Sequence, residues 1–248
     1  MRSFKKIAFL FLLLIPFVQF PQSSKVFKLD SLCSVWNDTS NPDTIRLHAL
    51  HNVIWEEYLF VNPENVIFYA EIMNGMSAER ELKAFMAISS NLKGIAFQIK
   101  GQNDSAVKCF TRVKNIFEEI NNIHGVGVSL NNIALALKDK GDFEKCLAYF
   151  NEAYELYKEV KDSSDMGSAL HNIGTIYSDM GNNPIALQYF HNALKIGEKI
   201  KDSSRIASAY QEIGVIVLEF ENNEDKALDY FLKSLQLRVQ INDKIQIP

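Results

Sequence analysis

The stretch GTIYSDMGNNPIALQYFHNA, Gly174 to Ala193, reads as a helix, a turn and a second helix, and the chain writes it more than once. Forty residues earlier stands ALALKDKGDFEKCLAYFNEA from Ala134, and forty before that GIAFQIKGQNDSAVKCFTRV from Gly94. Forty residues later comes GVIVLEFENNEDKALDYFLKS from Gly214. Gly94, Ala134, Gly174 and Gly214 fall in one column, and Phe97, Leu137, Tyr177 and Val217 in a second. Gly101, Gly141 and Gly181 make a third, from which Glu221 departs. Ala106, Cys146 and Ala186 make a fourth, followed by Phe110, Phe150 and Phe190, then by Val113, Ala153 and Ala193. In the last copy one extra residue enters the turn, so Ala227, Phe231 and Ser234 fall one position late. Aligned columns at a fixed period are the signature of stacked repeats.

The columns have a physical reading. Within each unit apolar residues recur at helical spacing, over about 14 residues and then about 16, separated by Gly- or Asn-rich turns. Gly141 and Gly181 stand where a helix end takes a left-handed residue, and Pro184 where the next helix tolerates a missing N–H. The column of Gly94, Ala134, Gly174 and Gly214 lies inside the first helix, where glycine costs about 1 kcal/mol of propensity. Close approach of the paired helix offsets that cost, with Ala106, Cys146, Ala186 and Ala227 expected to face it. KDSS occurs at Lys161 and again at Lys201 as the joint between units. The lysines favour the negative end of the outgoing helix, and Asp162, Ser163 and Ser164 cap the incoming one. An earlier, more divergent unit fits the same interval: TIRLHALHNVIWEEYLF (Thr44–Phe60) as first helix, then a second with Val66, Ala70 and Met73 in the packing columns. That makes about five helix pairs over residues 44–240, with 25–43 a linker and 241–248 the opening of a further, truncated repeat. The fold class is all-α, a right-handed α-solenoid of antiparallel helix pairs.

Composition narrows the function. The first 24 residues hold Arg2, Lys5 and Lys6 and no acid, leaving 23 basic against 30 acidic residues in the rest. Nucleic acid is excluded as a partner on this reading, because phosphate neutralisation needs clustered Lys and Arg. The basic head precedes the uncharged run IAFLFLLLIPFVQF, Ile7 to Phe20. Its 14 residues make a helix of roughly 21 Å, short of a ~30 Å hydrocarbon core. That pattern predicts a signal peptide over residues 1–24 and an exported, periplasmic or extracytoplasmic chain, with an uncleaved anchor as the alternative. Three cysteines, Cys33, Cys109 and Cys146, cannot all pair within one chain and read as unpaired packing residues.

The columns Gly-x-x-Tyr, Gly and Ala-x-x-x-Phe-x-x-Ala resemble the tetratricopeptide repeat, most completely in the stretch from Gly174 to Ala193. The resemblance runs from about Thr44 to Gln240. These units depart from that repeat in being 40 residues rather than about 34, with the excess assigned to the second helix, and in lacking the usual closing proline. The longer form is similar to the extracytoplasmic sensor regions of bacterial membrane-bound histidine kinases, nucleotide cyclases and DNA-binding regulators; no such output domain occurs in this sequence. The resemblance implies a concave groove lined by the first helices. Mapped onto it, the groove positions are Asn91, Ile95 and Gln98, then Asn131, Leu135 and Lys138. The following units add His171, Thr175 and Ser178, then Gln211, Val215 and Leu218, with Asn132 and Asn172 adjacent. Those two asparagines have two readings, ligand contact and bonding across the joint between repeats. The Lys/Arg carboxylate clamp of one class of such repeats has no counterpart in these positions.

No nucleophile elbow, phosphate loop or carboxylate pair marks an enzyme, and no cofactor is implied. His48 and His51 share a helix face at i, i+3 without a third ligand in sequence, which reads as a helix face rather than a metal site. Leu228, Phe231, Leu232 and Leu235 leave an apolar stripe on the last full helix. Repeat arrays bury such faces on a neighbour, so the stripe is expected to meet a second copy or a C-terminal module. The sequence therefore predicts a non-enzymatic scaffold for protein or peptide segments, the sensory or interaction region of an exported or membrane-linked signalling protein. A self-contained periplasmic assembly or chaperone-like adaptor is the alternative.

Overall fold

The computed structural model describes residues 22–245, and the side chains of residues 29–241. The predicted leader, apart from its last three residues, lies outside them. Among the described residues no helix is long and apolar enough to cross a membrane. The chain divides into two compact units, Met1–Glu56 and Glu57–Pro248.

The first unit holds α1 (Gln22–Asn37) and α2 (Asp43–Val53). The linker expected at 25–43 is therefore mostly helix. Its apolar residues Leu29, Leu32, Val35 and Trp36 recur at helical spacing, and neither Pro nor Gly interrupts them. Arg46 of α2 ties the two helices together: its guanidinium lies 5.1 Å from the Trp36 ring centroid, and Nε donates to the Trp36 carbonyl at 3.0 Å. The helix expected over Thr44–Phe60 stops short of that span. α2 passes into a π-turn at Ile54–Tyr58, and the chain leaves helix before Asn62 caps the next element.

The second unit is a helical solenoid. Its helices are α3 (Pro63–Glu79), α4 (Lys83–Ile99), α5 (Asn103–Glu119), α6 (Ile123–Lys138), α7 (Phe143–Glu159), α8 (Ser163–Asp179), α9 (Asn183–Ile200), α10 (Ser203–Glu219) and α11 (Glu224–Ile245). Each packs on the next in order. The six residues beyond the usual repeat are shared, since α4 and α5 are both 17 residues long, as are α7 and α8. Helices of equal length cover one another end to end. Residues 241–245, expected to open a new repeat, continue α11 without a break, because no turn former stands between Gln240 and Ile245.

The columns are the core. Ala106, Phe110, Cys146, Phe150, Ala153, Ala186, Phe190 and Ala193 are all fully buried, and so are Val66, Ala70 and Met73 forty residues ahead. The phenylalanine column packs closest on the glycine column, and the small-residue column reaches it where Cys146 meets Ala134. A methyl group at Gly94 would collide with the Phe110 ring, at Gly174 it would lie 2.9 Å from Phe190 Cε1, and at Gly214 2.8 Å from Phe231 Cε1. Cys146 donates its thiol to the Ala134 carbonyl at 3.2 Å, and burial pushes that thiol up to about 11. All three cysteines are free, Cys109 and Cys33 being half-buried.

Both turn types end in a left-handed residue. Inside the pairs it is Gly101, Gly141 or Gly181, with φ of 70–75°. In the last pair Asn222 takes the role at φ 50°, because the inserted residue shifts the turn past Glu221. Between pairs it is Glu81, Asn121, Lys161 or Lys201, with φ of 53–59°. In each joint a backbone N–H reaches back over the turn, as Asp162 N–H does to the Tyr157 carbonyl at 2.8 Å and Asp202 N–H to Gly197 at 2.9 Å. Asp162 and Asp202 then cap the incoming helices through the N–H groups of Asp165 and Arg205. The lysines of KDSS thus hold a backbone conformation that costs a residue with a Cβ about 1–2 kcal/mol. Lys161→Gly and Lys201→Gly are each expected to stabilise the array by about 0.5–1 kcal/mol, glycine's greater freedom when unfolded offsetting part of the relief. A urea midpoint that falls in either variant would contradict the assignment of strain to this position.

Candidate functional site

The first helices of the second unit bring the expected groove residues together in two ways. The first is an asparagine ladder. Asn132 Nδ2 of α6 donates to Asn91 Oδ1 of α4 at 3.1 Å, and Asn172 Nδ2 of α8 donates to Asn131 Oδ1 of α6 at 2.9 Å. Of the two readings of Asn132 and Asn172, this is the bond across the joint between repeats. Each rung ties neighbouring repeats, yet leaves a donor on one amide and an acceptor on the other without a protein partner among the described residues. All four asparagines are half-buried. At the next rung the equivalents are His171 and Glu212, and the ladder stops.

The second feature is a cavity of about 250 Å³ beside that break, lined by Ser168, His171 and Asn172 of α8 and by Asp202, Ser204, Arg205 and Ser208 at and after the start of α10. Arg205 dominates it. Its Nη1 donates to Ser168 Oγ at 3.0 Å and its Nη2 to Ser164 Oγ at 3.2 Å. Gly167 makes the room: a Cβ there would stand 2.9 Å from Arg205 Cδ and 3.0 Å from Nε. His171 lies with its ring centroid 5.2 Å from that of Phe190. Burial, with Arg205 and Lys138 adding positive charge, lowers its pKa to about 4, so the imidazole is neutral at physiological pH.

That shift carries a pH dependence. The folded-state pKa lies below the ordinary 6.5, so the unfolded chain binds the proton more readily. Stability from this group is complete above about pH 6.5 and declines as pH falls towards 4, by up to about 3 kcal/mol. His171→Gln is expected to flatten the urea-midpoint profile between pH 7 and pH 4; an unchanged slope would show that His171 titrates normally.

The other groove positions are tied into the scaffold. Ile95 and Leu135 are partly buried against the core of α5–α8. Gln98 Nε2 donates to Asp139 Oδ2 at 3.3 Å, and Lys138 pairs with Asp179 at 3.1 Å. Thr175 donates to the His171 carbonyl at 3.1 Å, and Gln211 Oε1 accepts from Arg238 at 3.0 Å. Val215 and Ser178 are half-buried and Leu218 is exposed.

The histidine and carboxylates that do converge are not His48 and His51. His124 Nε2 stands 2.9 Å from Asp165 Oδ2 and 3.4 Å from Asp162 Oδ2. Asp162 is already engaged as a cap, and the contact with Asp165 makes the trio a hydrogen-bonded tie between the starts of α6 and α8.

Arg205 is the residue that the columns miss. The twin stretches KDSSD and KDSSR carry the signal, with Asp165 in one and Arg205 in the other. Its significance depends on Ser164, Ser168 and Gly167, about forty residues earlier.

The Tetratricopeptide repeat family profile matches residues 85–159 and 165–238, which is more than half of the chain. The chain belongs to the tetratricopeptide-repeat family. No curated protein sequence matches it. Among solved structures, BtubC (BKLC) from P. vanneervenii is similar over 89% of this chain and 90% of its own, at 17% identity and a TM-score of 0.66. Aspartyl phosphate phosphatase F from Bacillus subtilis is similar over 86% and 68%, at 16% identity and a TM-score of 0.66. A Rap protein complexed with Competence and Sporulation Factor is similar over 90% of this chain and 63% of its own, at 14% identity and a TM-score of 0.70. At these identities the likeness is one of fold. A tetratricopeptide-repeat solenoid of this kind is a protein-interaction scaffold, and the asparagine ladder and the Arg205 cavity lie on its first helices.

Proposed function

We propose that this tetratricopeptide-repeat chain is a non-enzymatic scaffold whose first-helix groove holds a peptide segment of a partner protein in extended form. The observation that carries this reading is the ladder. Its rungs Asn91–Asn132 and Asn131–Asn172 recur at the repeat interval, each with a spare donor and a spare acceptor. A peptide backbone offers the complementary acceptor and donor at every residue. The Rap protein solved with Competence and Sporulation Factor supports a ligand-holding use of the same fold.

The test is selection from a random peptide library on the full chain, followed by fluorescence anisotropy with the best binder. Asn132→Ala with Asn172→Ala is expected to weaken binding at least tenfold while circular dichroism stays helical, since each amide contributes about 1 kcal/mol. Failure to select any peptide, or equal binding by the double variant, would refute the reading.

The finer context is also a proposal. The basic, then apolar, N-terminal stretch supports export to the extracytoplasmic side, and an interaction role there fits the sensory region of a signalling protein. An alkaline phosphatase fusion after residue 60 tests it, enzyme activity being expected only if the leader carries the fusion out of the cytoplasm. The stripe of Leu228, Leu232, Leu235 and Val239 on α11 is 49–55% exposed and supports a further protein contact at that end. Phe231, expected in that stripe, turns inward against Gly214 instead.

A further inference from the structure

We propose that the exposed stripe of α11 is a self-pairing surface, on which a second copy of this chain lies antiparallel about a two-fold axis. The pairing stands whether or not the groove holds a peptide.

The inner repeats show how the same helix face is used elsewhere in the array. Leu228 and Leu235 occupy the positions of Leu187 and Leu194 in α9, which pack into the core shared with α10. Those two leucines are therefore what a following first helix would cover. Leu232 and Val239 are different. The counterparts of Leu232 are Thr111, Asn151 and His191, and those of Val239 are Glu118, Lys158 and Glu198, all polar and all exposed. A further repeat stacked in the usual way leaves these two positions to water, so it gives no reason for an apolar side chain at either. Together the four residues make one continuous exposed ridge along α11, of the kind that buries against another helix.

The spacing of the ridge names the occupant. Leu228, Leu232, Leu235 and Val239 are separated by four, three and four residues, the seam of a two-helix coiled coil. That order reads the same from either end. A copy turned through a half rotation sets Leu232 against the second copy's Leu235 and Leu228 against its Val239, with no apolar member left over. A surface that complements itself is the mark of an isologous two-fold contact.

Charge favours the same direction. Glu224, Asp225 and Asp229 against Lys226 give residues 224–231 a net −2, and Lys233 and Arg238 give residues 232–240 a net +2. Antiparallel helices bring the acidic half onto the basic half, whereas parallel ones set like on like. The two halves cancel, so two copies meet at α11 without net repulsion, although the chain as a whole carries −4. Four half-exposed side chains are a small patch beside the ~800 Å² that a standard interface buries on each partner. The dimer is accordingly a weak one, with a dissociation constant on the order of 10 µM.

Sedimentation equilibrium of the full chain under reducing conditions is the test. The mass is expected to rise from 28.3 kDa towards twice that value as concentration passes from about 1 to about 100 µM. Leu232→Asn with Val239→Lys copies into α11 the side chains of Asn151 and Lys158, which α7 already carries at these positions. That double variant is expected to raise the dissociation constant at least tenfold, with the urea midpoint at about 1 µM unchanged. Orientation is read by pulsed electron spin resonance, with one label at Asp225→Cys or Gln236→Cys in a Cys33→Ser, Cys109→Ser background. The axial offset between the two labels of a dimer is expected to be about 26 Å at position 225 and about 8 Å at position 236. A chain that stays monomeric at about 100 µM, as it would if only a different protein or a further repeat covers α11, would overturn the proposal. So would association that the double variant leaves unchanged, or equal label distances at the two positions, which is the parallel result.

Discussion

Phe190→Ala is expected to cost about 3–5 kcal/mol, at the upper end for a single substitution. The ring is completely buried among Ala186, Leu194, Ala209, Ile213, Ile216, Val217 and Ala227, so it joins α8 and α9 to the following pair. Its removal deletes that contact and leaves a void that flanking alanines are too small to fill. Because each repeat touches only its neighbours, the loss should be local. Amide exchange is expected to quicken across α8–α11 more than across α4–α7, and the urea transition should broaden or split. A loss below about 1 kcal/mol, or exchange rising evenly along the array, would show that the phenylalanine column is not the joint described here.

Gly174→Leu is expected to cost about 1–3 kcal/mol by overfilling the same contact from the other side. A Cβ at this position already lies 2.9 Å from Phe190 Cε1, tighter than packed atoms adopt without movement. The repeat itself provides the control, since Ala134 occupies the column beside Phe150 and both are fully buried. One methyl is therefore accommodated by a shift of the ring, and Gly174→Ala should be close to neutral once its gain in helix propensity is counted. The extra three carbons of leucine have no such outlet. In the double variant Gly174→Leu with Phe190→Ala, leucine enters the space the ring vacates. Its cost is expected to fall short of the sum of the singles by about 0.5–3 kcal/mol. Additive losses in a thermodynamic cycle would place the two residues in separate environments.

Much of the architecture follows from spacing along the chain. The 40-residue period, the helix–turn–helix unit, the left-handed glycines at 101, 141 and 181 and the buried small and aromatic columns all depend on contacts within one unit or the next. Such contacts lie close in sequence and leave periodic marks. The weak points were where periodicity was thin. The segment 25–43 has no repeat partner to mark its helix, and the run from Thr44 changes into a π-turn where no residue type announces it. At the joint residues Lys161 and Lys201 the sequence displays only charge, whereas backbone geometry decides their cost.

The groove divides in the same manner. That Asn91, Asn131, Asn132 and Asn172 belong together is visible from their spacing; that their amides pair across repeats, leaving donors and acceptors free, is a matter of distances between helices. Nothing in the linear order joins Gly167, Ser164 and Ser168 to Arg205, because a single exception in a column has no period to reveal it. Repetition in the residues is enough to specify a stack of paired helices, since each unit need only recognise its copy. The chemistry on the wall of that stack arises where the copies differ, and only the packing of one helix against the next decides which differing residues meet.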